Sequence, residues 1–177
     1  MGPTQINGIP AHPLLVHLVV VLVPLTALAL VACALWPPVM RRFGLALPAL
    51  ALVSMIAVPL TTHAGEWLEE HVKENALLER HTEMGDELLP WAVGLFIVAT
   101  ALWWTYRRAT APSAAGTNGQ VGVSGKPGMP LRIAAVVLSL VVAAGAVVQV
   151  YRIGDSGAKA TWKAAVFTPP VDRNSNA

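Results

Sequence analysis

Charged residues are scarce in this chain: Asp, Glu, Lys and Arg make up 12% of its 177 residues, about half the fraction usual in soluble domains. The single cysteine, Cys33, excludes an internal disulfide, a CxxC redox pair and a CxxCH haem attachment. The chain lacks HExxH and GxSxG, and Ser156 of "GDSGA" has no β-barrel around it to form a serine protease. The basic residues form no run with interleaved aromatics, which argues against a nucleic-acid partner. These absences argue against an enzyme that acts by itself.

Apolar residues, in contrast, fill four long runs. The runs are 18–22 residues long and cover 14–35, 43–60, 88–106 and 131–151. Roughly 20 helical residues cross the hydrocarbon layer of a bilayer, and a lone segment in lipid must be helical to satisfy its backbone. The sequence therefore predicts an all-α, integral membrane four-helix bundle over 14–162, with helices at about 14–35, 43–64, 80–106 and 131–153.

The basic residues predict the orientation of these helices. Arg41 and Arg42 follow the first run, and Arg107, Arg108, Lys126 and Arg132 lie between the third and fourth. Since cytoplasmic loops are enriched in Lys and Arg, we expect a multi-pass plasma-membrane protein with an extracytoplasmic N-terminus, 61–87 segment and C-terminus. Residues 1–13 form an extracytoplasmic lead-in. The Gly- and Ser-rich 107–130 segment is predicted to be a flexible cytoplasmic loop, and 163–177 a disordered tail.

One connecting segment holds most of the acidic charge. The segment "TTHAGEWLEEHVKENALLERHTEMGDELL", 61–89, carries eight of the ten acidic residues and three of the five histidines. Its Glu, Leu, Lys, Arg and Ala residues favour helix. We therefore predict an acidic outer hairpin over 63–87, formed by extensions of the second and third helices.

An even number of crossings brings distant histidines to one side of the membrane. His17 lies near the outer end of the first helix, His63 at the outer end of the second, and His81 near the outer start of the third. Ionisable groups at membrane depth usually face the bundle interior and have partners. We predict that b-type haem binds here, with its iron held by two imidazoles from among these three histidines. The protein would then transfer electrons or serve as a membrane anchor for a redox partner.

A transition-metal ion is the alternative ligand, held by these three histidines and Glu66, which is three residues from His63. Four residues are expected to support either site rather than to ligate haem: Glu66, Asp155, His12 and Gly85. Gly85 lies one helical turn after His81 and begins a stripe of small residues that could admit a flat macrocycle.

Other interpretations remain open at this point. Histidines and carboxylates at a membrane interface often only solvate helix ends, which is the interpretation preferred for His12 and His71. The chain is then a cofactor-free structural or assembly protein whose acidic hairpin is a surface for a partner protein, or a metal carrier or sensor. A homo-oligomer is compatible with each of these interpretations.

Three stretches carry a resemblance to a known family. They are "HPLLVHLVVVLVPL" at 12–25, "GEWLEE" with "LERHTEMGDELL" at 65–89, and "YRIGDSGAKATW" at 151–162. They resemble a bacterial membrane family catalogued as domain of unknown function 2231, particularly its actinobacterial members. The resemblance implies four membrane helices, with His12, His17 and His81 at motif positions. This layout is similar to that of small b-type cytochromes.

Overall fold

In a computed structural model, the described residues form six helices and one short β-hairpin. The structure describes residues 4–6, 8–69, 71, 76–110 and 128–166. The elements are β1 (Gln5–Ile6), β2 (Ile9–Pro10), α1 (His12–Leu35), α2 (Pro37–Phe43), α3 (Ala46–Glu69), α4 (Ala76–Asp86), α5 (Leu88–Thr110) and α6 (Met129–Val166).

Four helical stretches are long and apolar enough to cross a membrane: His12–Leu35, Ala46–Glu69, Arg80–Thr110 and Met129–Lys159. The third combines the end of α4 with α5, and the fourth is the greater part of α6. The prediction of an all-α, four-helix integral membrane protein is confirmed. Neighbours in the chain are also neighbours in space, since α1 packs on α3, α3 on α5, α5 on α6, and α6 back on α1. This is the arrangement of an up-and-down bundle.

The helix ends follow from proline and glycine. Pro37 and Pro38 begin α2 directly after α1 ends, and Gly44, with φ +50, ends α2. The sequence predicts a tight turn at 37–44, whereas the structure places a seven-residue helix there. A proline in the first turn of a helix loses no hydrogen bond, so "PP" both ends α1 and begins α2.

The third predicted helix, 80–106, is divided in the structure. α4 ends at Asp86 and α5 begins at Leu88. Pro90 lacks an N–H, and its ring opposes the carbonyl four residues earlier, which belongs to Asp86. One proline in the first turn of α5 therefore accounts for the break at Glu87.

The bundle interior is built from small and polar side chains as well as aliphatic ones. Thr26 and Ser54, both fully buried, are joined by a 2.8 Å hydrogen bond between α1 and α3. Gly145 allows α6 to approach Trp91 of α5 so closely that a Cβ there would lie 2.0 Å from the indole. Helices in lipid associate through such close approach and through hydrogen bonds between helices.

The N-terminal lead-in contains the β-hairpin that precedes α1. Gly8 turns it with φ +78, and Ala11, which is fully buried, donates its N–H to the Thr4 carbonyl at 2.9 Å. These contacts fix the start of α1 at His12. Of the predicted flexible loop 107–130 and tail 163–177, residues 111–127 and 167–177 lie outside the described residues. Residues 107–110 and 163–166 continue α5 and α6 as helix.

Candidate functional site

Two histidines meet at the end of the bundle where α1 begins and α3 ends, called here the acidic end. His12 is the first residue of α1, and His81 lies in the middle of α4. Their ring centroids are 6.3 Å apart and the ring planes make an angle of 84°. Both side chains are half-buried. The structure therefore pairs the two imidazoles across the bundle.

Each imidazole forms a hydrogen bond at Nδ1. His12 lies 3.0 Å from the carbonyl of Thr61, which can only accept, so Nδ1 of His12 carries the proton. His81 Nδ1 lies 2.9 Å from Oγ of Ser156, which itself donates to the Ile153 carbonyl at 2.8 Å. Since the serine proton is used there, Nδ1 of His81 is also the donor. With the proton on Nδ1, each ring has its lone pair at Nε2.

A glycine lies against each ring. A Cβ at Gly65 of α3 would come within 2.9 Å of Cε1 of His12, and a Cβ at Gly157 of α6 within 2.9 Å of Cε1 of His81. Real Cβ contacts are not that short. The two glycines therefore make room for the imidazoles, one on each side of the pair.

The pair borders a cavity of about 210 Å³, called here the histidine cavity. Its deeper wall is aliphatic and its rim is acidic. The aliphatic lining consists of Val16, Val19, Val20, Val58, Leu88, Val150 and Ile153, and the acidic lining of Glu66, Glu69, Glu83 and Asp86. A cation in this cavity would be near two imidazoles and four carboxylates.

The remaining predicted site residues fall at different distances from the pair. His17 is exposed on the outside of α1, with its Nδ1 bonded to the Pro13 carbonyl. His63 is exposed on α3 and lies 3.7 Å from Glu66. The structure therefore brings His81 and His12 together and leaves His17 and His63 away from the pair. His71 is exposed and stacks on Trp67 at 4.2 Å.

Some of the residues predicted to support the site lie at the histidine cavity, and others lie away from it. Glu66 and Gly85 line the histidine cavity. Asp155, in contrast, is exposed and forms a 2.6 Å ion pair with Lys159. Its neighbour Ser156 holds His81 instead. The pattern "DSG" contained the signal for this role. A serine can form a hydrogen bond with an imidazole, and a glycine directly after it leaves room for the same ring.

Donors for a metal are few in this site. No group of three or more His, Cys, Asp or Glu side chains among the described residues is arranged to hold a metal ion. A tetrahedral zinc site needs four ligands. The described part of the site therefore offers two nitrogen donors.

The comparisons with known proteins give one match. No curated protein and no solved structure matches this chain. The match is to the family model described as "Predicted membrane protein (DUF2231)", and it spans residues 8–170. This range includes both histidines, both glycines, Thr61 and Ser156, and it agrees with four membrane-spanning helices. The chain therefore belongs to the DUF2231 family of membrane proteins.

Proposed function

We propose that this protein binds a transition-metal centre at the acidic end of the bundle through Nε2 of His12 and His81, and that the centre transfers electrons. The observation that supports this proposal best is the pair of oriented imidazoles, each with Nδ1–H donated to the protein. Histidines that ligate metals almost always donate their other ring N–H in this way, which fixes the tautomer and the ring orientation.

The spacing of the rings supports coordination of one metal between them. A metal–nitrogen bond of about 2.0–2.1 Å, extended by about 1.1 Å from nitrogen to ring centre, gives roughly 6.2 Å between the centroids of two opposed imidazoles. The observed separation is 6.3 Å. The two rings make a T-shaped contact with 84° between their planes, so binding of one metal between them would require at least one ring to turn its Nε2 towards the other.

The number of donors favours haem iron as the centre. Two imidazoles complete the coordination of a haem, since the porphyrin itself supplies four nitrogens. The volume favours a smaller occupant. About 210 Å³ is below the roughly 300–1,000 Å³ of most sites for organic ligands. In this conformation the cavity admits a bare ion such as copper, and a porphyrin requires the helices around it to part.

The carboxylates at the rim suit an electron-transfer role. Glu66, Glu69, Glu83 and Asp86 put negative charge next to the centre, which stabilises the more positive, oxidised state. The same charge attracts a basic partner protein. A cofactor-free assembly protein would present these carboxylates to a partner without any centre between the histidines.

The absorption spectrum and the metal content of the protein purified in mild detergent test the proposal. A Soret band that shifts on addition of dithionite identifies haem, and a protein without a Soret band that contains one equivalent of a redox-active metal identifies a bare ion. A protein that is colourless and metal-free, and that takes up neither added haem nor added copper, contradicts the proposal and favours the assembly protein.

Histidine variants then identify the ligands. We expect His12→Ala and His81→Ala to lose the centre, and His71→Ala, a matched exposed control, to retain it. His17→Ala separates the two assignments: the sequence pattern made His17 a ligand, whereas the hydrogen bonds favour His12. Loss of the centre in His17→Ala with full retention in His12→Ala would overturn the assignment made from the structure.

A further inference from the structure

A second cavity lies at the opposite end of the bundle, where α1 ends and α6 begins. It has a volume of about 540 Å³ and is called here the arginine cavity, because Arg41 of α2 and Arg132 of α6 both line it. Tyr106, Thr105 and Thr110 of α5 add hydroxyl groups to the lining. The cavity thus combines two fixed positive charges with hydrogen-bonding groups.

Among the residues that the structure describes, no carboxylate pairs with either of these two arginines. The sequence has no acidic residue before Glu66 and none between Glu87 and Asp155, so no carboxylate lies in the chain near either arginine. Neither Arg41 nor Arg132 forms an ion pair with a described residue. The positive charge of the two arginines in the arginine cavity would therefore attract an anion.

The rest of the cavity indicates what kind of anion it suits. Its inner wall is apolar, with Cys33, Met40 and Leu102 among the lining residues. Next to it lies a groove of about 330 Å³ along α1 and α6, lined by Ile133, Val136 and Val137. Ala34 and Arg132 line both the cavity and the groove. A charged compartment thus continues into an apolar one on the lipid-facing side of the bundle.

We propose that the arginine cavity binds the phosphate headgroup of an anionic phospholipid, with an acyl chain in the adjoining groove. Basic pockets between transmembrane helices recognise phospholipid headgroups in this manner, and arginine matches phosphate with paired N–H donors. A free phosphate would use the arginines but not the groove. The joined apolar groove is the reason for assigning a lipid rather than a soluble anion.

The test compares phospholipids on the detergent-purified protein by native mass spectrometry. We expect phosphatidylglycerol to be retained in preference to phosphatidylcholine. Arg41→Gln and Arg132→Gln should each weaken retention roughly fivefold, and the double variant roughly 25-fold, from the usual effect of one surface arginine on anionic lipid binding. Arg42→Gln is the matched control, because Arg42 is adjacent in sequence and exposed but does not line the cavity.

The groove is tested separately. Ala34→Phe places a ring where the cavity and the groove meet and should weaken lipid retention, whereas Ala144→Phe on the exposed surface of α6 should not. The far-ultraviolet circular dichroism of every variant must match that of the wild type. Arg41→Lys and Arg132→Lys, which keep the charge, should lose less retention than the Gln variants.

Three results would overturn the proposal. Equal retention of phosphatidylglycerol and phosphatidylcholine would show that the arginines do not select a headgroup. Equal loss from Arg42→Gln and Arg41→Gln would show that the effect is general surface charge. Displacement of the lipid by excess glycerol phosphate as effectively as by phosphatidylglycerol would show that the site takes a free anion.

Discussion

Two glycines of α6 allow the packing of His81 to be tested by one pair of substitutions. Gly157 and Gly154 are three residues apart in the same helix. A Cβ at Gly157 would lie 2.9 Å from Cε1 and 3.4 Å from both ring nitrogens of His81, whereas a Cβ at Gly154 would meet nothing within 4 Å. Gly157→Ala and Gly154→Ala are therefore the same chemical change in two different surroundings.

The magnitudes follow from helix propensity and from the contact. Replacing glycine by alanine inside a helix stabilises it by about 1 kcal/mol, which applies to both variants. Forcing a methyl group into an occupied site costs about 1–3 kcal/mol, which applies to Gly157→Ala. The net expectation is about 1 kcal/mol of added stability for Gly154→Ala and, for Gly157→Ala, a change between none and a loss of about 2 kcal/mol.

Thermal unfolding in detergent, followed by circular dichroism, measures this difference. One kcal/mol corresponds to roughly 2–4 °C in Tm for a chain of this size, so Gly154→Ala should raise the Tm by that amount and Gly157→Ala should not. The ring displaced in Gly157→Ala should also bind the proposed metal centre more weakly. An equal rise in Tm for both variants would refute the packing of His81 against α6.

Three further predictions concern the bundle. In Gly145→Ala the new Cβ would lie 2.0 Å from the Trp91 ring, so an overpacking cost of about 3 kcal/mol less the helix gain of about 1 kcal/mol should lower stability by about 2 kcal/mol in the same unfolding assay. Gly94→Ala, whose Cβ would lie 3.2 Å from Val142, should change stability by less than about 1 kcal/mol. Equal effects would contradict the close α5–α6 approach. Thr26→Val should lower the free energy of unfolding by about 0.6–1 kcal/mol, because Ser54 loses its 2.8 Å partner but still donates to the Leu50 carbonyl. A loss above about 2 kcal/mol would contradict this interpretation. Gln149→Leu removes the hydrogen bonds from Nε2 to the Met84 carbonyl and to Glu87. Amide hydrogen exchange in α4 should therefore accelerate roughly tenfold, while exchange around Leu95 stays unchanged. Unaltered exchange in α4 would show that these bonds do not stabilise α4.

The four spans could be predicted because lipid imposes a simple rule. A run of about 20 apolar residues has to be helical, and the chain has four such runs. The breaks were harder to predict. "PP" at 37–38 ended α1 as expected, but the division of the third helix depended on Pro90 acting on the carbonyl of Asp86, four residues earlier.

The sequence alone could not identify which histidine of α1 belongs to the site. His12 and His17 are five residues apart, about 140° around a helix, so they cannot both face the interior. His12 shares its face with Val16, Val19 and Val23, and the last two of these are buried. His17 shares its face with Leu14, Val21 and Leu28, which are exposed. Both faces are equally apolar in the sequence, since lipid and core accept the same side chains, so the pattern alone could not choose between the histidines.

The break at Glu87 has a consequence for how an occupant could come and go. His12 is anchored to the long helices α1 and α3, but His81 belongs to α4, an eleven-residue segment hinged to α5 at a single non-helical position. The two histidines therefore lie on helices of very different length. For the proposed centre, we expect an occupant to enter or leave when α4 moves away from α6, which breaks the His81–Ser156 and Gln149 bonds.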